Sequence, residues 1–379
     1  MISPKTRGMI IGLAATVVLV GTVVAVLGLV VGGSDGPTSD RSKVEVLPFV
    51  PTTHTRTDTL TKADLIAPDG KIVGMFSPNT PYNTAEYDSY VAAAGTVPNA
   101  LNIFTKWDSP FRADGADRAY SRGAIPVVSW ESWATGAVAD DPRYTLASIA
   151  AGEHDEYVRT FAKDVAAYGK PVIIRFDHEM NGSWYPWGVG VNGNTPEQYQ
   201  AAWRHVHEIF GAEGADNAAW VWSVNIIRAV PHTVMLMGAL YPGDAYVDYV
   251  GITGYSISEA TASDLFGPTT NVIRTFTQKP ILLSEVGARP HDGKSAFITS
   301  LFAYVAEHAD VAGVIWFETT KADGATGDYT FNDTPENSAA YAAGAAAVPK
   351  LTITHDVEER VRYGDDPTTT KFTIKDSLR

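Results

Sequence analysis

PVIIRFDHEMNGSWYPWG, at residues 171–188, contains an apolar, β-branched run that ends abruptly at His178 and Glu179. A run of this kind is typical of a strand buried on both faces of a parallel sheet. The loop behind it carries Asn181 and three aromatic residues, Trp184, Tyr185 and Trp187. A carboxylate at the end of a buried strand, facing flat aromatic rings, is an arrangement that can bind and protonate a sugar. A salt-bridged glutamate at the end of a core strand is the alternative interpretation of Glu179 taken alone.

Seven further apolar runs share this character, and amphipathic stretches separate them. They lie at residues 72–76, 100–104, 124–131, 219–225, 249–252, 280–285 and 312–317. Apolar residues at three- and four-residue spacing predict helices around 157–168 and 199–210, the second beginning near Thr195. Eight strand–helix units over roughly 280 residues predict an α/β fold, a (β/α)8 TIM barrel. No G-x-G-x-x-G follows the first strand, so a doubly wound nucleotide-binding fold has little support.

Composition narrows the class of protein. The 379 residues are 45% hydrophobic and 11% aromatic, which excludes a disordered chain. A formal net charge of −14 argues against a nucleic-acid partner, which would need a basic face. The chain has no cysteine, which excludes disulfides and thiolate metal sites. We predict no cofactor and no metal, because the acidic residues at 323, 328 and 333 lack the order of an EF-hand.

The N-terminus carries a second clear pattern. Lys5 and Arg7 precede an uncharged apolar run at residues 9–31, which is long enough to cross about 30 Å of hydrocarbon. A signal peptide has a shorter apolar region, of about 7–15 residues, and a small-residue cleavage site. We therefore expect residues 1–8 in the cytoplasm, a single transmembrane anchor at 9–31 and the rest outside the cell. Cleavage of this segment and secretion is the alternative.

The exported part divides into three regions. Residues 32–65 are rich in Ser, Thr, Asp and Pro and predict a flexible extracellular linker. Residues 66–350 carry the strand–helix pattern and are expected to form a monomeric barrel domain. Residues 351–379 are polar and charged, with a weak alternation near 371–374, and predict a tail or an added hairpin.

Two carboxylates fall at the carboxyl ends of predicted strands, where barrels gather their reactive groups. Glu179 follows the fourth strand, and Glu285 ends the seventh. Strands four and seven face each other across a barrel mouth. If the two carboxyl groups lie about 5–5.5 Å apart, the pair predicts retaining glycoside hydrolysis, with one group as nucleophile and the other as acid and base.

Neighbouring residues suggest which glutamate has which role. Trp184 and Trp187 would raise the pKa of Glu179 and keep it protonated. Arg175 and the Tyr255 hydroxyl would hold Glu285 ionised, although an ordinary core ion pair and hydrogen bond remain the alternative for both. Other strand-end residues are candidates for substrate binding: His178, Trp130, Asn225 and Trp316. Trp316 could form a floor for a sugar ring or fill the barrel core.

These motifs resemble glycoside hydrolase family 26. RFDHEMNGSW at residues 175–184 is similar to the family's acid/base signature, and KPILLSEVG at 279–287 is similar to its nucleophile strand. The likeness extends over roughly residues 70–347. It implies that Glu179 is the acid/base and Glu285 the nucleophile. It also implies that the cleaved subsite is lined by His178, Tyr255, Trp184 and Trp316.

Three residues at two sites depart from the family pattern and concern the choice of substrate. Thr253 stands where Asp is expected before Gly-Tyr, and Thr319 and Thr320 stand where Asn is usual. The family includes β-1,4-mannanases, mixed-linkage β-1,3-1,4-glucanases and β-1,3-xylanases, of which mannanases are commonest. We expect a β-linked polysaccharide substrate, with endo-β-1,4-mannan first. A mixed-linkage glucanase, a hydrolase that trims an exported polysaccharide, and a membrane-tethered glycan-binding protein without catalysis remain alternatives.

Overall fold

A computed structural model describes residues 60–66, 68–259 and 261–353, together with two short strands at 361–363 and 371–373. Eight parallel strands close into a barrel in chain order, each paired with its neighbours in sequence, and β1 pairs with β8. All eight strands are at the predicted places, so the TIM-barrel prediction is confirmed. The strands are β1 Ile72–Phe76, β2 Ala100–Lys106, β3 Ile125–Glu131, β4 Val172–Phe176, β5 Ala218–Asn225, β6 Tyr249–Ser256, β7 Ile281–Ala288 and β8 Val311–Phe317.

Helices alternate with the strands at all positions except one. They are α1 Lys62–Ile66, α2 Thr84–Ala94, α3 Ala113–Tyr120, α4 Leu146–Ala150, α5 Asp155–Tyr168, α6 Pro196–Ala212, α7 Ala262–Ile273, α8 Lys294–Glu307 and α9 Pro335–Ala347. Between β5 and β6 the expected helix is replaced by short 3₁₀ turns, Pro231–Leu236, Gly238–Leu240 and Asp244–Tyr246. Two prolines and two glycines in residues 231–243 account for this, because both residue types break a continuous helix. Further 3₁₀ turns are Pro142–Tyr144, Val191–Gly193 and Lys321–Asp323.

Helix α6 shows how local sequence sets an element boundary. Thr195 caps its first turn: the Thr195 hydroxyl accepts from the Gln198 backbone N–H, and the Gln198 side chain accepts from the Thr195 N–H. The apolar positions at three- and four-residue spacing, Tyr199, Trp203, Val206 and Phe210, are all buried. The predicted helix is therefore confirmed, and it covers the outside of the barrel.

The base of the barrel interior is an apolar layer that includes Ile72, Ile125, Ile173, Val221, Leu282 and Ile315. Leu65 of α1 packs against this layer, and so do Leu351 and Ile353. The sequence pattern placed Leu65 in the linker and the other two in the tail. Their apolar side chains instead cover the open end of the barrel, which would otherwise expose hydrophobic surface to water.

Strands Val361–Tyr363 and Lys371–Thr373 form a separate two-stranded antiparallel sheet, in which Lys371 pairs with Tyr363. They lie within the region predicted as a tail or hairpin. Among the residues that the structure describes, no helix is long and apolar enough to cross a membrane. The predicted anchor at 9–31 lies outside those residues.

Candidate active site

Arg175 occupies the centre of the barrel interior, one layer above the apolar base. Its side chain is fully buried, and each nitrogen has a partner. Nε donates to Ser223 Oγ at 3.1 Å, and Nη1 donates to Ser129 Oγ at 3.1 Å. Nη1 also lies 2.8 Å from Glu285 Oε2, and Nη2 donates to Thr253 Oγ1 at 2.6 Å. Hydroxyl side chains from β3, β5 and β6 thus hold the Arg175 guanidinium group next to the Glu285 carboxylate.

An irregularity in β7 brings Glu285 into the interior. Consecutive residues of a regular strand point to opposite faces. In β7 the pairing register shifts on both edges, and Ser284 and Glu285 both face inward. Ser284 Oγ lies 2.9 Å from Ser223 Oγ, while Glu285 contacts Arg175. A β-bulge is a known way to re-aim a side chain next to a reactive site.

Both oxygens of Glu285 accept hydrogen bonds. Oε2 accepts from Arg175, and Oε1 accepts from the Tyr255 hydroxyl. Burial raises the pKa of Tyr255 well above its usual value, and the charges of Glu285 and Glu179 raise it further. The phenol therefore keeps its proton and donates to Glu285. These contacts agree with the partners predicted for the nucleophile.

Glu179 lies on a tight turn just past β4. Its φ of 57° is in the left-handed region, which costs energy for a residue with a side chain. Its backbone N–H donates to Ser223 O at 2.7 Å, and Trp184 Nε1 donates to its Oε2 at 2.6 Å. Gly182 makes this turn possible, because a Cβ there would meet the Trp184 indole at 2.4 Å.

The surroundings of Glu179 raise its pKa to about 7. Burial is the largest cause, and the charge of Glu285 acts in the same direction. Arg175 and hydrogen bonds from Trp184 and Thr253 act in the opposite direction. Glu179 therefore holds a proton near neutral pH and can release it, as a general acid and base must.

Asp177 supports the same turn, and the sequence pattern did not identify it. Its φ is 38°, and its buried carboxylate accepts from the Ser132 backbone N–H at 2.9 Å and hydroxyl at 2.8 Å. The Tyr199 hydroxyl donates to its carbonyl at 3.1 Å. The strand end is thereby tied to the loop after β3 and to α6. An acidic residue directly after a buried strand was the available signal.

His178 and Trp187 form the wall behind Glu179. His178 Nε2 lies 3.1 Å from the Tyr185 hydroxyl, and burial lowers the pKa of His178 well below its usual value, so the ring is neutral. Its Nδ1 has no partner among the described residues. Trp187 is buried, stacks on Tyr185 with ring centres 4.4 Å apart, and donates to the His178 carbonyl at 2.7 Å. Trp187 supports this wall and, contrary to prediction, is not exposed for contact with a sugar.

Two residues predicted to bind substrate, Trp130 and Trp316, point away from the barrel interior. Trp130 is buried between the barrel and the helices, 4.4 Å from the Phe161 ring of α5. Trp316 is buried against Tyr341 of α9 and donates to the Tyr329 carbonyl at 3.0 Å. Strand alternation is the reason, because the next residue in each strand turns inward instead. Those residues are Glu131 and Phe317.

Trp184 and Asn225 remain at the barrel mouth. Trp184 is 39% exposed and projects over Glu179, as a sugar-stacking residue would. Asn225 ends β5 beside Thr253, and its backbone exchanges hydrogen bonds of 2.8 and 2.9 Å with the Asn181 side chain. Asn225 therefore also anchors the loop that carries Glu179.

The acidic loop after β8 has a structural explanation. Asp323 accepts from Thr320, Asp328 accepts from the Lys321 N–H, and Asp333 lies 2.8 Å from Lys294 Nζ. Across the described part of the chain, no cluster of three His, Asp or Glu side chains is arranged to hold a metal ion.

Relatives of known name match parts of this chain. Endoglucanase H of Acetivibrio thermocellus is 32% identical over 267 residues, which are 67% of this chain and 28% of the relative. A mannan endo-1,4-beta-mannosidase of Bacillus subtilis is 31% identical over 139 residues, 35% of this chain and 34% of the relative. The chain thus spans about a third or less of the length of these curated relatives.

A solved structure shows the same fold. A modular endo-beta-1,4-mannanase from Cellulomonas fimi superposes with a TM-score of 0.58 at 18% identity, over 77% of this chain and 75% of that one. The model of the family described as Glycosyl hydrolase family 26 matches residues 110–339, which is more than half of the 379 residues. These residues include the Glu179 turn and the Glu285 strand. The chain therefore belongs to glycosyl hydrolase family 26.

Proposed function

We propose that this protein is a retaining β-glycoside hydrolase of the endo-β-1,4-mannanase type. The main observation behind the proposal is that two buried glutamates have different surroundings. Glu285 accepts hydrogen bonds from Arg175 and Tyr255, whereas Glu179 lies against Trp184 with a pKa of about 7. One group is set up to attack and the other to deliver a proton, as double displacement requires.

In the first step a Glu285 oxygen attacks the anomeric carbon as its bond to the glycosidic oxygen breaks. The leaving oxygen takes the proton of Glu179. In the second step Glu179, now a carboxylate, removes a proton from water, and the water oxygen attacks the same carbon. Glu285 leaves with its electron pair, the sugar keeps its β configuration, and Glu179 is protonated again. Trp184, which lies beside the acid, is the candidate platform for a sugar ring.

Mannan is the first substrate to test because several named relatives are mannan endo-1,4-beta-mannosidases. A mixed-linkage β-1,3-1,4-glucanase is the second candidate. The endoglucanase H of Acetivibrio thermocellus aligns over 267 residues, a longer stretch than the B. subtilis mannosidase. Thr253, where the family pattern has Asp, pairs with Glu285 on the neighbouring strand. This departure from the family pattern is a second reason to test a substrate other than mannan.

A panel of β-1,4-mannan, mixed-linkage β-glucan and β-1,3-xylan, with analysis of product lengths, tests both candidates. Wild type should release mixed short oligosaccharides from one of them. Glu179→Gln and Glu285→Gln should each lose at least about a thousandfold in kcat/KM while staying folded. Binding of a glycan with no turnover of any substrate would favour a non-catalytic binding protein instead.

For the whole chain we infer a single-pass membrane protein with an extracellular barrel domain. The charge asymmetry around residues 9–31 supports the anchor, and the composition of residues 32–65 supports a linker. Sequencing the mature N-terminus from the native host tests this inference. A start near Met1 with activity in the membrane fraction would support it, whereas a start near residue 34 would mean secretion. A monomeric barrel domain is expected and can be tested by light scattering.

A further inference from the structure

Lys106 and Glu131 lie side by side at the barrel mouth and are not part of the Glu179–Glu285 pair. They are register partners at the ends of β2 and β3. Ser129, two residues before Glu131, contacts Arg175 in the interior, and its hydroxyl bonds Asn102 of β2 at 2.9 Å. Since side chains alternate along a strand, Glu131 and Lys106 lie on the same inner face, above that layer.

Glu131 is a buried carboxyl group that accepts a hydrogen bond at only one of its two oxygens. The residue is 5% exposed, and Trp133 Nε1 donates to its Oε2 at 3.0 Å. Its other oxygen accepts no hydrogen bond from any residue in the described ranges. The charges of Glu285 and Arg175 both act on Glu131, which places it within reach of the reacting pair. A carboxylate oxygen without a protein donor can accept a hydrogen bond from a hydroxyl of a bound ligand.

Lys106 supplies the complementary donor. Its ammonium lies 4.3 Å from the centre of the Trp133 ring, a cation–π contact. Within the described part of the chain, Lys106 Nζ makes no ion pair within 4.0 Å and no hydrogen bond. Trp133 thus contacts both groups, bonding the carboxylate through its N–H and the cation through its face.

We infer that Lys106 and Glu131 form a subsite for the vicinal diol of a sugar unit next to the cleavage point. An ammonium donates to the oxygen of one hydroxyl, and a carboxylate accepts the hydrogen of its neighbour, so the pair matches two adjacent hydroxyls. This inference rests on the proposed function, because it assigns one unit of the same glycan to these two residues.

The test measures binding separately from catalysis. In a Glu285→Gln background, calorimetry with β-1,4-mannohexaose and with a mixed-linkage glucan hexaose gives Kd without hydrolysis. Glu131→Gln and Lys106→Met are then added singly and together. Lys321→Ala is the matched control, a cation in the exposed loop after β8.

We expect each single change to weaken Kd about 10- to 100-fold for the glycan that wild type hydrolyses, as for lost hydrogen bonds to charged groups. The double variant should lose less than the product of the two, because both residues hold one diol. The control should bind as the background does, and the Tm of Lys106→Met should be unchanged.

Kd values within twofold of the background for both single variants would overturn the subsite, while turnover by wild type would leave the proposed function standing. A lower Tm for Glu131→Gln without weaker binding would assign Glu131 a structural role and would also overturn it. If wild type hydrolyses none of the panel and the background variant binds neither hexaose, the proposed function falls and the subsite falls with it.

Discussion

Arg175 Nη1 lies 2.8 Å from Glu285 Oε2, and both groups are buried inside the barrel. The charges of both groups act on the pKa of Glu179, the second glutamate of the site. The barrel strands hold Arg175 in place, and Arg175 in turn orients the Glu285 carboxylate.

Replacing Arg175 by Met should destabilise the protein by about 3–5 kcal/mol, because Glu285 would be left buried without its cation. Denaturant unfolding measures this change. The double variant Arg175→Met with Glu285→Gln is the control and should recover a large part of the loss. Equal stability of the single and double variants would show that the ion pair does not matter for folding.

The pH dependence of kcat/KM should show an alkaline limb near pH 7. Glu179 must be protonated to donate to the leaving oxygen, and its pKa is raised to about 7. Activity therefore falls as the pH rises through this value. Rates measured from pH 4 to 9 on the best substrate test this expectation. A loss of activity centred near pH 4.5, the ordinary pKa of a glutamate, would contradict it.

Removal of the indole N–H at position 184 should move that limb upward. The Trp184 Nε1 donates to Glu179 at 2.6 Å and lowers its pKa. Trp184→Phe should therefore raise the limb by about one pH unit, equivalent to roughly 1.4 kcal/mol. Trp222→Phe is a matched control, because the buried Trp222 Nε1 has no partner among the described residues. A limb that stays in place for Trp184→Phe would argue against this hydrogen bond.

Tyr329 is expected to position Tyr255 against Glu285. The centre of its ring lies 4.4 Å from that of Tyr255, and both rings pack closely on Gly287, since a Cβ there would lie 3.0 Å from Tyr255 Cδ1 and 3.1 Å from Tyr329 Cδ1. Tyr329→Leu should lower kcat about tenfold with little change in KM, because a phenol without support donates less well. Tyr329→Phe keeps the ring and should retain most activity. Equal losses in both variants would point to the hydroxyl instead.

Stability should be higher at pH 5 than at pH 8. Burial raises the pKa of Glu131 and Glu179 to about 7 and that of Glu318 to about 8. Groups with raised pKa values contribute stability that is present below about pH 4.5 and is lost as the pH rises through 7 to 8. Glu131→Gln and Glu179→Gln should each make the fall in the free energy of unfolding between pH 5 and pH 8 smaller, by about 1–3 kcal/mol. Parallel stability curves for wild type and both variants would contradict the assignment.

The strands, the Glu179 turn and the partners of Glu285 could all be predicted, because each leaves a local pattern in the sequence. The direction in which the Trp130 and Trp316 side chains point could not be predicted. It depends on the register of the strands in the barrel, and a shift of one residue reverses it. Thr253 contacts both Arg175 and the acid/base candidate, yet it appears in the sequence only as a departure from a family pattern. Lys106 and Glu131 become partners only when β2 and β3 are side by side.

Covalent trapping tests the central claim most directly. A 2-deoxy-2-fluoro glycoside with an activated leaving group, matched to the preferred sugar, should accumulate a glycosyl-enzyme because the second step is slowed. Peptide mass spectrometry should then find the sugar on Glu285, and nuclear magnetic resonance of natural hydrolysis should show the β-anomer first. A label on Glu179 or Glu131, or first release of the α-anomer, would contradict the assigned mechanism.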